Sequence, residues 1–114
     1  AYRATSAEGV VMAVRYEDND PSGDLNFWAG AIDAKLRRSG YTAVERKKVA
    51  SVDAVEGQQL RYVTDRGGRE HAFWVTVFVT EEAVVTVEAG GDVAFFTDAE
   101  KRIQETIATL DLKS

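Results

Sequence analysis

Cysteine is missing from this chain of 114 residues, and histidine, proline and methionine each occur once. Without cysteine there is no disulfide, thiolate-bound metal or cysteine nucleophile, although the compartment stays open because envelope proteins also do without it. A single histidine, His71, cannot build a histidine metal cluster. No apolar run reaches the ~20 residues that cross a bilayer as a helix, and no signal-peptide pattern is present. The chain opens at Ala1 without a methionine, an appearance that a removed signal peptide or an upstream lipid anchor would leave. Repeats, low-complexity tracts and Gly/Ser/Pro-rich linkers are lacking too, which points to one continuous domain over residues 1–114.

What is present is ordinary for a folded protein: 45% hydrophobic and 29% charged residues, enough for one core. Nineteen acidic against fourteen basic residues give a net charge of -5, which repels phosphate backbones, so nucleic acid is not an expected partner. The basic run from Lys35 to Lys48 reads as a solvated face.

Along the chain, Val10 to Tyr16 is apolar on both faces and predicts a strand buried on both sides. Asp24 is a suitable N-cap for a helix with Leu25, Trp28, Ala29, Ile32 and Leu36 as its apolar stripe, and Gly40 supplies its stop. Tyr41 to Val49 carries charges that suit a sheet edge. Gln58 to Thr64, a turn at Asp65-Arg66-Gly67-Gly68, Arg69 to Thr80 and Ala83 to Ala89 read as a meander, ended by Gly90-Gly91. Thr97 and Glu100 fit a capping box for a second helix, with Phe96, Ala99, Ile103, Ile107 and Leu110 as its stripe. The order is then β-α-β-β-β-β-α. Arg69 to Thr80 is apolar on both faces, so the expectation is an α+β fold with a single antiparallel sheet and one helix on each face, an α/β/α sandwich.

The stretch Val55-Glu56-Gly57-Gln58-Gln59-Leu60-Arg61-Tyr62, with Val84 to Ala89 and a carboxyl-terminal Ile107 to Leu110, resembles the PsbP-like and DcrB-like superfamily over residues 10–112. Its pattern is a G-x-x-L-x-Y strand, a long apolar strand, a V-x-x-V strand and a final helix. The family's amino-terminal hairpin is expected to be missing or reduced to Ala4 to Gly9. The resemblance implies roles such as extrinsic photosystem subunits, import factors that bind small GTPases, envelope lipoproteins and chaperones of type VI secretion effectors. None is an enzyme class.

Candidate chemistry is sparse. His71 could be joined by Ser6, Ser22, Ser39 or Ser51, but no G-x-S-x-G context supports a nucleophile. The glycine pairs lack phosphate-loop spacing, and Glu81 and Glu82 point to opposite sides of an extended chain. Asp18-Asn19-Asp20-Pro21-Ser22-Gly23 mimics the start of a calcium loop, yet Ala29 stands where the bidentate glutamate belongs. Trp28 and Trp74 read as core. No catalytic, cofactor-binding or metal-ligating residue is therefore assigned. The candidate partner surface is Phe27 with Gly30, Ala31 and Ala34, which share the outer face of the first helix. Phe27 either folds back over the preceding loop or docks a partner. The expected function is a non-catalytic protein-binding or assembly domain of the cell envelope or periplasm, or of a secretion system, acting on a protein partner or a second copy. The alternative is a small-molecule or metal-binding domain using the Asp-rich loop or a helix-sheet pocket.

Overall fold

The computed structural model describes residues 2–7, as backbone, and residues 9–112. Its elements are β1 (Tyr2–Ala7), β2 (Val10–Asp18), α1 (Leu25–Arg38), β3 (Thr42–Ala50), β4 (Glu56–Arg66), β5 (Arg69–Val79), β6 (Ala83–Asp92) and α2 (Val93–Ala108). The strands form one antiparallel sheet in the order β1-β2-β6-β5-β4-β3, so the α+β class with a single antiparallel sheet and two helices stands. The order carries one strand more than expected, because Tyr2–Ala7 pairs with β2 from Tyr2↔Arg15 to Ala7↔Val10. Gly9, at φ 83°, sits in the left-handed region between these strands and permits the reversal. An amino-terminal hairpin of β1 and β2 is therefore present.

The central hairpin follows from local chemistry. Gly67 and Gly68 take φ of 61° and 82° as the two residues between β4 and β5, and the Asp65 carboxylate accepts the Gly68 N–H at 2.9 Å. In α1, Asp24 accepts the Phe27 N–H at 2.8 Å, and Lys35, Arg37 and Arg38 lie in the last turn. In α2 the start differs from the expectation. Asp92, not Thr97, is the N-cap, accepting the Ala94 N–H at 2.9 Å. Gly90 and Gly91 do not end β6. They pair with Phe73 and Ala72 inside the sheet, and a Cβ on Gly90 would lie 3.2 Å from the Phe73 ring. These glycines make room for neighbours, and the chain reaches Asp92 before it turns.

Successive residues of a strand face opposite ways, and β5 supplies two cores accordingly. Val75 and Val77, with Val84, pack with Leu25, Trp28, Ile32 and Leu36 of α1. Trp74 and Phe78, with Val85, Val87 and Ala89, pack with Phe96, Ile103 and Ile107 of α2. The Trp74 and Phe96 rings meet at 4.9 Å between centroids. The expectation that β2 is buried on both sides fails: Val10 and Ala13 are buried, but Val11 is 55% and Tyr16 41% exposed. For Val11, on the α1 face of the sheet, the reason is placement, since α1 packs chiefly along β3, β4 and β5.

Candidate functional site

Two surfaces stand out. The first is the outer face of α1, where Phe27, Gly30, Ala31 and Ala34 recur at helical spacing and all four are exposed. The Phe27 ring lies over Gly23, where a Cβ would collide with it, and meets Trp28 edge-on at 5.2 Å. It thus folds back over the loop while 52% of the residue stays exposed. Among the chain's nine glycines, all within the described residues, Gly30 alone has neither a left-handed φ nor any described atom within 4 Å of where its Cβ would stand.

The second surface was not legible from the sequence. On the α1 side of the sheet, the uncovered strands leave a hollow of about 350 Å³. Its floor is Val11 and Ala13 of β2, Gly90 of β6 and Phe73 of β5, and Tyr41 stands beside it. A second hollow of about 260 Å³, lined by Ile32 and Leu36 of α1, shares Phe73 and Glu88 with the first. The register explains the assembly: Val11 pairs with Gly90 and Gly90 with Phe73, so three distant segments present small or flat side chains in one row. Only strand order reveals this. A clue in the sequence was the mix of Ala13, Gly90 and Gly91 among larger apolar residues.

The remaining polar groups are mostly committed to the fold. Asn19 accepts at Oδ1 from Gly23 N–H (2.9 Å) and Trp28 Nε1–H (2.7 Å), while its Nδ2 donates to the Gly23 and Thr80 carbonyls. The Asp-rich loop is thereby stitched to α1 and the end of β5. Among the described residues, no group of three or more His, Asp or Glu is placed to hold a metal ion. Ser39 donates to the Lys35 carbonyl and Ser51 to Asp53, while the His71 ring nitrogen lies 3.4 Å from the Arg69 carbonyl. Tyr62 donates to Asp33 at 2.6 Å. That bond, helped by Arg37, holds the Asp33 carboxyl below its usual range despite desolvation. Burial first, and then Asp33, pushes the Tyr62 hydroxyl above its usual value.

No protein-family model matches this chain, and no curated protein matches it. Among solved structures it is similar to the crystal structure of PA94, a Pseudomonas aeruginosa protein of unknown function provisionally named a regulator. The two share 12% identity at a TM-score of 0.81, over 100% of this chain and 83% of that one. At this identity the likeness establishes the fold alone. Among the described residues no helix is long and apolar enough to cross a membrane.

Proposed function

We propose that this chain is a non-catalytic protein-binding or assembly domain whose partner seats on the outer face of α1. The observation that carries the reading is Gly30. A glycine inside a helix costs about 0.5–1 kcal/mol relative to alanine, and nothing described within the chain requires one at this position. Close approach of another chain would require it, because the missing Cβ lets a second backbone come near. Ala31 and Ala34 extend the low surface, and the exposed half of Phe27 offers an apolar anchor beside it.

On this reading the two clusters of β5 make the domain a sandwich with a helix on each face, and the chain belongs with the PsbP-like and DcrB-like proteins. Its place would be the cell envelope or a secretion system. Gly30→Arg tests the binding role, since the exposed side chain has room in the monomer but blocks the approach. Affinity capture from the native host and sedimentation of the purified domain should both show association for the wild type and its loss in Gly30→Arg, with no fall in thermal stability. Gly30→Ala should melt higher than the wild type. If Gly30→Arg keeps every association of the wild type, the α1 face is not the docking surface.

A small-molecule role is the second reading, favoured by the hollow on the sheet.

A further inference from the structure

The hollow on the α1 side of the sheet has a polarity that its apolar floor does not explain. At the end nearest the β4-β5 turn it is lined by Arg66 and His71, with Thr64 directly opposite His71 in the ladder. Arg66 makes no ion pair among the described residues. Its Nη2 donates to the Tyr41 hydroxyl at 3.2 Å, which leaves that hydroxyl's own proton for another acceptor. His71 likewise has no carboxylate partner among the described residues. Asp92, opposite it in the register, is held by Arg69 at 3.2 Å while it caps α2.

Below this cationic end, Phe73 and Tyr41 meet at 5.4 Å between centroids, inclined at 43°. Their faces border a floor kept low by Ala13 and Gly90. Among the described residues, the carboxylate that lines the hollow is Glu88, which pairs with Val75, four residues further along β5 than His71. At the rise of a strand that is about 13 Å from the cationic end. The volume of about 350 Å³ lies in the range of small-ligand sites.

We infer that this hollow binds a small amphipathic anion, with its acidic group between Arg66, His71 and the Tyr41 hydroxyl and its flat apolar body against Phe73 over Ala13 and Gly90. The guanidinium and the phenol give the head two directed donors. The small floor residues accept a planar body that larger side chains would exclude. Glu88 at the far end disfavours a second negative charge, so the ligand carries its charge at one end.

Two fluorescent probes with the same rings separate the charge from the apolar body: 8-anilinonaphthalene-1-sulfonate and the neutral N-phenyl-1-naphthylamine. The purified domain should bind the sulfonate more tightly than the amine. Arg66→Gln, on an exposed strand end, should weaken the sulfonate about tenfold while leaving the amine unchanged, and Arg66→Lys should recover part of the loss. Amide shifts in the presence of the sulfonate should centre on Ala13, Phe73 and Gly90. Equal affinity for the two probes, an equal effect of Arg66→Gln on both, no binding of either, or shifts centred elsewhere, such as Phe27 or Phe95, would each overturn the assignment. Gly30→Arg should not alter probe binding, which keeps this result separate from the protein-docking role of α1.

Discussion

The Tyr62 hydroxyl donates to Asp33 Oδ1 at 2.6 Å, so a buried strand residue and the helix across from it share one proton-bearing contact. Asp33 in turn accepts from Arg37 Nε at 3.0 Å within α1. The contact fixes the helix over β4, where Leu60 and Tyr62 are buried beneath it.

Its pH dependence has two limbs of opposite sign. Tyr62 is raised in the folded state, so its contribution is complete below the unfolded phenol value of about 10 and declines as pH rises above it. Asp33 is lowered, so its contribution is complete above the unfolded carboxyl value of about 4 and declines as pH falls through the folded one. Tyr62→Phe should cost about 1.5–3 kcal/mol at neutral pH, the loss of one charge-assisted bond. Urea unfolding at pH 7 and at pH 10.5 should show the wild type losing more stability between the two than the variant does. Equal losses would show that the bond contributes nothing to the alkaline limb.

The same register that aligns Tyr62 shows which parts of the fold can be read from sequence. Residues that obey a short-range rule are legible: Gly67 and Gly68 at a two-residue turn, Asp24 at a helix start, and alternation dividing Trp74 and Phe78 from Val75 and Val77. The recurrence of Phe27, Gly30, Ala31 and Ala34 on one helical face is legible in the same way. Where two local rules compete, tertiary packing chooses. Thr97 and Glu100 make a valid capping box, but Asp92 caps the helix because β6 continues through Gly90 and Gly91, whose missing side chains make room for Phe73 and for Val10. Tyr2–Ala7 has little alternation to mark it as a strand, and pairing with β2 supplies what its own sequence does not. The hollow depends wholly on β2 lying beside β6, a relationship across nearly the whole chain. Nothing local to Val11 or Phe73 could announce it.

Asn19 provides a test of the Asp-rich loop. Its one side chain makes four hydrogen bonds, to Gly23 twice, to Thr80 and to Trp28. Asn19→Ala should cost about 2–3 kcal/mol, because the Trp28 indole N–H and loop backbone groups lose their partner together. Asn19→Asp should cost nearly as much, since a carboxylate cannot donate to the Gly23 and Thr80 carbonyls. A loop serving mainly as a calcium site would behave otherwise: the aspartate would raise calcium affinity with little loss of fold. Isothermal titration of wild type and Asn19→Asp, expected to show calcium affinity weaker than roughly 10⁻⁴ M in both, separates the two roles.

Arg61 shows which contacts of one side chain carry its contribution. Its guanidinium lies 3.7 Å over the Trp74 ring, and its Nε donates to Gln59 Oε1 at 2.9 Å. Gln59 is fully buried and also bonds Thr76 and Gln104, so this end of the arginine completes an interior network between β4, β5 and α2. At its other end Arg61 meets Glu45 at 3.3 Å and Glu100 at 4.0 Å, and both carboxylates are about half exposed. The Arg61 side chain is only 12% exposed, but water reaches both carboxylates and weakens the outer pairs, which are worth roughly a few tenths of a kcal/mol to about 1 kcal/mol. The stacked, buried end is worth more and demands the planar fork of arginine. Arg61→Lys, although it keeps the charge, should therefore cost about 1–2 kcal/mol, while Glu45→Gln and Glu100→Gln should each change stability by less than about 0.5 kcal/mol. Chemical unfolding at low and at high salt measures both. The Arg61→Lys deficit should persist at 1 M salt, where pairs between exposed charges are screened out. A deficit that vanished with salt would instead place the role of Arg61 in its ion pairs with Glu45 and Glu100.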